Sequence, residues 1–132
     1  MIVVDTNIIG ALYLSSDRST QAERALRKDP YWAAPLPWRS EFRNVLALYM
    51  RRNLLSLEDT LQFMDEAVGL MKDREYEVNS YHVLNLVASS TCSAYDCEFV
   101  SLAQDLDVPL VTVDTQILRQ FPSTAIPLEA FT

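Results

Sequence analysis

The sequence predicts an α/β fold, a three-layer α/β/α sandwich with a short-stranded, mostly parallel central sheet. Short apolar and β-branched runs recur along the chain, and segments with helical apolar spacing separate them. Strands that alternate with helices build a parallel sheet that helices cover on both faces. The chain has 132 residues, of which 49% are hydrophobic. This length and composition suit one core, so we expect a single domain over residues 1–132.

Five segments have the pattern of short buried strands. The first is the β-branched run Ile2-Val3-Val4, and the fourth begins just after Pro109. The predicted strands occupy residues 2–4, 31–34, 76–78, 110–113 and 125–128.

Capping residues, prolines and apolar spacing predict the helices. Ser56 is a suitable N-cap, and Pro37 suits the first turn of a helix. After Ser56, apolar residues recur every three or four positions, which predicts a stripe that faces the core. That stripe consists of Leu57, Leu61, Met64, Val68 and Met71. The predicted helices occupy residues 8–14, 19–28, 37–52, 57 to at least 71, 80–89 and 95–106.

The composition excludes several kinds of site. With only 2 Gly, the chain has neither a P-loop nor a G-x-G-x-x-G turn, since both need several glycines close to phosphate. A single His excludes a His-rich zinc site and an HExxH motif. The two cysteines, Cys92 and Cys97, are too few for a four-thiolate zinc site, and we interpret them as reduced thiols of the core.

Charge and hydropathy constrain the partners. The formal net charge is −7, so general attraction does not bring nucleic acid to this surface. A protein of this kind that acts on nucleic acid needs a local basic strip or metal ions. The sequence shows no signal-peptide pattern and no apolar run of 18 residues. We therefore expect a cytoplasmic protein without a membrane partner.

Four carboxylates occupy unusual positions. Asp5 closes the first predicted strand, and Asp114 follows the fourth. Since ligands of open parallel sheets bind at the carboxyl ends of the strands, both acids are candidate site residues. An Asp at such a turn can equally serve as a helix cap, and the sequence leaves both roles open. Glu41 lies on the apolar side of a helix, and Asp96 lies at a helix start.

The remaining acids fit simpler roles. Glu58, Asp59, Asp65 and Glu66 lie on the polar side of an amphipathic helix. Glu98 follows Asp96 by two positions, roughly 200° around the helix, which predicts that it points away.

Four converging carboxylates favour a hard divalent cation. Two carboxylates about 4 Å apart repel by roughly 4 kcal/mol at an effective dielectric constant of 20. Mg²⁺ or Mn²⁺ prefers oxygen ligands, offsets that repulsion and takes further ligands from substrate phosphates. The chemistry expected of such a site is metal-assisted phosphodiester hydrolysis. The metal would then supply the positive charge that the protein surface lacks.

Three blocks carry a family resemblance: MIVVDTNIIGALYL at the start, SEFRNVL around Glu41, and SAYDCEFVSLAQDLDVPLVTVDTQIL near the end. In order and spacing they resemble the PIN-domain ribonucleases, especially the VapC-like toxins of prokaryotic toxin–antitoxin pairs. The resemblance implies a PIN fold, a Mg²⁺ or Mn²⁺ site, and endonucleolytic cleavage of RNA. It further implies a homodimer and a cognate antitoxin protein.

The resemblance also assigns the site residues by position. Asp5, Glu41, Asp96 and Asp114 match the four acids that bind metal and serve catalysis in the family. Asn7 and Thr112 match positions that support those acids. Cys97 stands where the family usually has a small alanine, a departure expected to affect packing only.

Basic and aromatic residues raise further hypotheses. Arg39 and Arg43 flank Glu41 on one helix and could contact phosphate, although a solvated helix surface explains them equally well. Several aromatic side chains could stack on bases, but at helical spacing they are more typical of a core or a dimer interface. They are Trp32, Trp38, Phe42 and Tyr49.

Two other functions compete with a ribonuclease. A PIN-fold chain could act only as a binding module, which the complete set of acids disfavours. An Asp that closes the first strand also occurs in phosphoaspartate receiver domains. Such a domain needs a second acid nearby and a Lys after a later strand, whereas position 7 is Asn and positions 3 and 4 are Val.

Overall fold

A computed structural model describes all 132 residues, Met1–Thr132. Five parallel strands form one sheet in the order β3-β2-β1-β4-β5. The strands are β1 (Ile2–Val4), β2 (Trp32–Pro35), β3 (Glu75–Tyr76), β4 (Leu110–Thr112) and β5 (Ala125–Pro127). The predicted α/β class with a short-stranded parallel sheet is therefore confirmed.

Helices fill the connections between the strands. They are α1 (Thr6–Tyr13), α2 (Ser19–Lys28), α3 (Trp38–Arg51), α4 (Leu57–Met71), α5 (Ser80–Ala88), α6 (Ala94–Leu106), α7 (Thr115–Gln120) and α8 (Leu128–Phe131). Among the first four helices, α1 packs against α2 and α3, and α3 packs against α4. Helix α8 packs on α2. The second group consists of α5 and α6, and α6 lies against β1, β2 and β4.

The ends of several elements differ from the prediction. The last strand stops at Pro127, and Leu128 begins α8 instead of ending β5. The short helix α7 also follows Asp114, a residue that suits a helix cap, although the apolar spacing there predicts no helix. Both helices are only four to six residues long, which leaves little room for a periodic apolar pattern.

The order of the strands creates a crevice beside β1. The chain builds β1, β2 and β3 in one direction across the sheet, and then places β4 and β5 on the other side of β1. Ligand sites of open α/β sheets lie where the strand order reverses in this way. Val4 pairs with Val111, and the Asp5 amide donates to the Val111 carbonyl at 3.0 Å. The residues that follow β1 and β4 are thus neighbours.

The core is built on both faces of the sheet. Every residue of β1, β2 and β4 is buried, which explains why these strands have no alternating polar pattern. Trp32, Trp38 and Phe42 are fully buried, as a core interpretation of these aromatics predicts. Cys92 and Cys97 are buried and free, in agreement with their interpretation as core thiols.

The predicted apolar stripe of α4 is wrong at its N-terminal end. Leu57 and Leu61 are 63% and 56% exposed, whereas Met71 is buried and Met64 and Val68 are half-buried. The face that meets the core runs instead through Thr60, Ala67 and Met71. Small side chains at positions 60 and 67 allow close packing of α4, and the spacing of larger apolar residues does not reveal this face.

The two edges of the sheet offer little unpaired backbone. At one edge β3 contains only two residues, Glu75 and Tyr76. At the other edge β5 contains three and ends at Pro127, which has no backbone N–H. None of the helices is long and apolar enough to cross a membrane.

An ion pair fastens α3 to the edge strand β3. Arg39 Nε and Nη2 donate to the two carboxylate oxygens of Glu75 at 2.6 and 2.7 Å. Trp38 Nε1 donates to the same Glu75 Oε1 at 2.7 Å. These bonds lower the pKa of Glu75, the hydrogen bond from Arg39 most strongly. One acceptor group therefore holds the first turn of α3 against the shortest strand.

We predict that Arg39→Ala lowers the free energy of unfolding by about 1 kcal/mol, because it removes a partly exposed bidentate pair. Urea denaturation measures the loss. Arg43→Ala is the matched control, since Arg43 lies about one helical turn further along α3, is exposed and takes part in no ion pair. Equal stability of the two variants would contradict the fastening role of Arg39.

Candidate active site

The four acids singled out in the sequence line one cavity at the carboxyl end of the sheet. Its volume is about 350 Å³, and it opens at the crevice beside β1. The lining residues are Asp5, Thr6, Asn7, Glu41, Asn44, Val45, Asp96 and Asp114. Residues separated by as many as 109 positions therefore meet at one place.

Asp5 is the most deeply placed of the acids, with 7% of its surface exposed. It follows β1 directly and serves as the N-cap of α1, where its Oδ1 accepts from the Thr6 amide at 2.8 Å. Its Oδ2 accepts from the Thr112 hydroxyl at 2.7 Å and from Asn7 Nδ2 at 3.3 Å. Oδ1 of Asp5 thus caps α1, while Oδ2 contacts the other residues of the site.

Burial raises the pKa of Asp5 from 3.8 to about 6. The hydrogen bonds from Thr112 and from the Thr6 amide act in the opposite direction, while the charges of Asp96 and Asp114 add to the increase. A carboxylate in this position is costly to ionise because it has lost water and faces like charges.

Thr112 connects the ends of β1 and β4. Its buried hydroxyl donates to Asp5 and accepts from the Asp114 amide at 3.0 Å. Asn7 Nδ2 approaches the same oxygen at 3.5 Å. The hydroxyl thereby fixes the relative positions of two acids that belong to different strands.

Glu41 enters the cavity from the first turn of α3. Its Oε1 accepts from the Thr6 hydroxyl at 3.3 Å. The pKa of Glu41 is raised from 4.5 to about 7, mainly by burial and also by the charges of Asp5, Asp96 and Glu98, while the hydrogen bond from Thr6 lowers it. Both burial and the neighbouring carboxylates therefore oppose ionisation of Glu41.

Asp96 and Asp114 reach the cavity from the starts of two helices. Asp96 lies in the first turn of α6, which Ser93 caps by accepting from the Asp96 amide at 3.1 Å. Burial and the charge of Asp114 raise the pKa of Asp96. Asp114 caps α7, where its Oδ1 accepts from the amides of Gln116 and Ile117 at 2.8 and 3.1 Å. Asp114 Oδ2 makes no hydrogen bond to the protein and is left for a ligand.

Glu98 does not line the acidic cavity, but its side chain does not face solvent fully either. Its side chain is half-buried, its Oε2 has no hydrogen-bond partner, and its charge reaches Glu41. Helix α6 is covered on several sides, by α5 and by β1, β2 and β4. A rotation of roughly 200° around such a helix leads to another buried surface and not to solvent.

Neither arginine proposed for phosphate contact lines the acidic cavity. Arg39 is held by Glu75 on the edge strand, and a phosphate contact would require that pair to break. Arg43 is exposed and lies two positions from Glu41, on a different side of α3. Contact of either residue with RNA stays a prediction that this arrangement does not favour.

Two polar lining residues, Thr6 and Asn44, and the apolar Val45 were not identified as site residues from the sequence. Asn44 lies three positions after Glu41, a spacing that places both on one side of α3 and could have identified it. Thr6 directly follows Asp5 and gives its amide to Asp5 and its hydroxyl to Glu41. Thr6 therefore connects two acids, a role that only the packing of α1 against α3 reveals.

The donor set of the cavity fits Mg²⁺ or Mn²⁺ in chemistry. All four acids offer oxygen, and the buried Asn7 Oδ1 has no hydrogen-bond partner beside them. The structure contains no preformed metal-binding cluster of three or more Asp, Glu, His or Cys side chains. Mg²⁺ does not require one, because it binds through one or two carboxylates and retains several waters.

Comparison with known proteins places the chain among related sequences. A family model described as the PIN domain matches residues 2–122. The chain is 31% identical over 131 residues to "Ribonuclease VapC3" of Pyrobaculum aerophilum, a match that covers 96% of this chain and 98% of the relative.

Solved structures share the fold. PAE2754 from Pyrobaculum aerophilum superposes with a TM-score of 0.77 at 19% identity, over 97% of this chain and 90% of that one. FitAcB from Neisseria gonorrhoeae gives 0.77 at 15% identity, with 98% and 99% covered. A toxin–antitoxin complex from Klebsiella pneumoniae gives 0.72 at 17% identity, with 97% and 98% covered.

The hydroxyl of Thr112 yields a prediction about stability. We expect Thr112→Val to lower the free energy of unfolding by about 1–3 kcal/mol, because it removes the shorter hydrogen bond to the buried Asp5 oxygen and leaves the Asp114 amide without its partner. Thr112→Ser keeps the hydroxyl and should lose clearly less. Urea denaturation at pH 7 compares the two variants, and equal losses would contradict a specific role of the hydroxyl.

The raised pKa values of Asp5 and Glu41 yield a prediction about pH. Both acids bind a proton more tightly in the folded chain than in the unfolded one. Their contribution to stability is therefore fully present below about pH 4 and is lost as the pH rises to about 7. With divalent ions removed by a chelator, the melting temperature of Asp5→Asn should fall less than that of the wild type between pH 4 and pH 7.

Thermal unfolding across that range measures the difference. Asp59→Asn is the control, since Asp59 is exposed on α4, and it should follow the wild-type curve. A wild type and an Asp5→Asn variant with parallel pH curves would contradict the raised pKa of Asp5.

Proposed function

This chain belongs to the PIN domain family, and from that premise we propose that it is a metal-dependent endoribonuclease, the toxin of a toxin–antitoxin pair. The observation that carries the proposal is the convergence of Asp5, Glu41, Asp96 and Asp114 on one cavity where the strand order reverses. A metal-independent binding module would have no use for acids whose mutual repulsion works against the fold.

Electrostatics support a divalent ion as cofactor. The charges of Asp5, Asp96 and Asp114 oppose one another, and Glu41 and Glu98 add to the repulsion. We assign the ion to the four acids that line the cavity, Asp5, Glu41, Asp96 and Asp114. When bound, Mg²⁺ or Mn²⁺ would neutralise these carboxylates, attract the phosphate of the substrate and polarise it toward attack.

The chain's own residues would position the reactants. Asp5 is fixed by Thr112 and Thr6, so that its carboxylate cannot rotate. Asn7 Nδ2 donates to Asp5 and approaches the Thr112 hydroxyl, which holds the Asn7 side chain beside the acids. The oxygen of an attacking water molecule forms a bond to phosphorus, and the bond to the leaving ribose oxygen breaks. A carboxylate of the cluster takes one proton of the water, and a proton from solvent converts the leaving oxygen into a hydroxyl group.

RNA as the substrate class rests on the relative that bears the name ribonuclease. A protein antitoxin as partner rests on the structural neighbour described as a toxin–antitoxin complex. Co-expression with the product of an adjacent reading frame tests the partner, because a cognate antitoxin should relieve growth arrest caused by this chain. The expected homodimer is tested by light scattering on the purified protein.

We predict that Asp5→Asn and Asp96→Asn each lower RNA cleavage in Mn²⁺ by at least about 100-fold, since each removes a charge that holds the ion. Asn also serves as an N-cap, so α1 should persist in Asp5→Asn. Gel analysis of a mixed RNA pool measures cleavage, and circular dichroism confirms the fold. Asp59→Asn should cleave at the wild-type rate.

Metal binding distinguishes the nuclease from a PIN-fold binding module. Mn²⁺ should raise the melting temperature of the wild type and should not raise that of Asp5→Ala, because a ligand that binds only the folded chain stabilises it. If Mn²⁺ shifts the melting temperatures of both proteins equally and the wild type cleaves no RNA, the nuclease proposal is wrong.

A further inference from the structure

A second cavity opens directly beside the acids. Its volume is about 230 Å³, and it shares Thr6, Asn7 and Val45 with the acidic cavity. It continues along α1 toward Ser16 and Arg18, with Tyr49 of α3 on the other side. An RNA chain with one phosphate bound at the acids would extend into this second cavity.

The floor of the second cavity is a glycine in the middle of α1. A Cβ added to Gly10 would meet no atom within 4 Å, and the backbone there does not have positive φ. Neither internal packing nor conformation therefore explains a residue that is unfavourable inside a helix. The missing side chain does leave the α1 backbone open to an approaching molecule in the cavity.

The chemistry of the walls suits a nucleotide. Tyr49 and Val45 present an aromatic ring and an apolar surface on which a base could stack, and Tyr49 is half-buried, unlike the fully buried Trp38 and Phe42. Arg18 is the one basic residue of this lining, is exposed, and takes part in none of the ion pairs of the chain. In a protein of net charge −7, a free guanidinium beside the acidic cavity is complementary to phosphate.

We propose that this cavity, named here the α1 groove, is the subsite for the nucleotide that adjoins the scissile phosphate. Its base lies over Gly10 and against Tyr49, and its outer phosphate contacts Arg18. The inference rests on the proposed ribonuclease function and extends it, because it assigns the residues that select the base next to the cut.

The test uses the full chain, Mn²⁺ and a random-sequence RNA pool whose cut ends are sequenced. Gly10→Leu fills the groove, and it should change the base frequencies at one position beside the cut and raise KM at least fivefold. Gly10→Ala should do the same to a smaller degree. Gly69→Leu on α4 is the matched control, since Gly69 is also a helical glycine with open space around it.

Arg18 is tested separately by salt dependence. Arg18→Gln should raise KM about tenfold and reduce the slope of log affinity against log salt by about one, and Arg18→Lys should restore most of both. The catalytic rate at saturating RNA should change less than KM does, because Arg18 does not line the acidic cavity.

The possible results separate the two proposals. If the wild type cleaves RNA but folded Gly10→Leu and Arg18→Gln retain its KM and its base pattern, the α1 groove is not a nucleotide subsite. If those variants cleave normally but escape inhibition by an antitoxin, the groove is a protein docking site and the subsite is overturned. If the wild type cleaves no RNA, both proposals fail.

Discussion

The hydrogen bond between the Thr112 hydroxyl and Asp5 is the interaction on which the site depends. It joins the carboxyl ends of β1 and β4, whose register places Val4 beside Val111. A shift of that register by one residue would turn Thr112 toward the opposite face of the sheet and leave a buried carboxylate without its donor. The pairing of two short strands and the position of the acids are thus one constraint.

The cavity concentrates negative charge at some cost to the fold. Burial and mutual repulsion both act against ionisation of Asp5 and Glu41. The hydrogen bonds from Thr6, Asn7 and Thr112 offset only a part of this, because they satisfy individual oxygens and leave the total charge unchanged. A site of this kind is built for a ligand of opposite charge.

Much of the fold and the main acids could be predicted from the sequence. The strands beside Asp5 and Asp114 are continuous apolar runs, and a parallel sheet brings the ends of such strands together. Local sequence patterns did not predict which side chains the packing of neighbouring elements would bury. The exposure of Leu57 and Leu61 and the half-buried position of Glu98 both depend on which neighbours pack against α4 and α6. The pairing of Arg39 with Glu75 likewise joins elements that have no local relation in the sequence.

The shortness of the outer strands has a consequence for the behaviour of the molecule in solution. Two residues of β3 and a β5 that ends in proline give a neighbouring molecule hardly any ladder to extend. Edge-to-edge pairing of sheets from neighbouring molecules is therefore disfavoured at both edges of the sheet. Contacts between copies of this chain would therefore involve helices and side chains more than strand pairing.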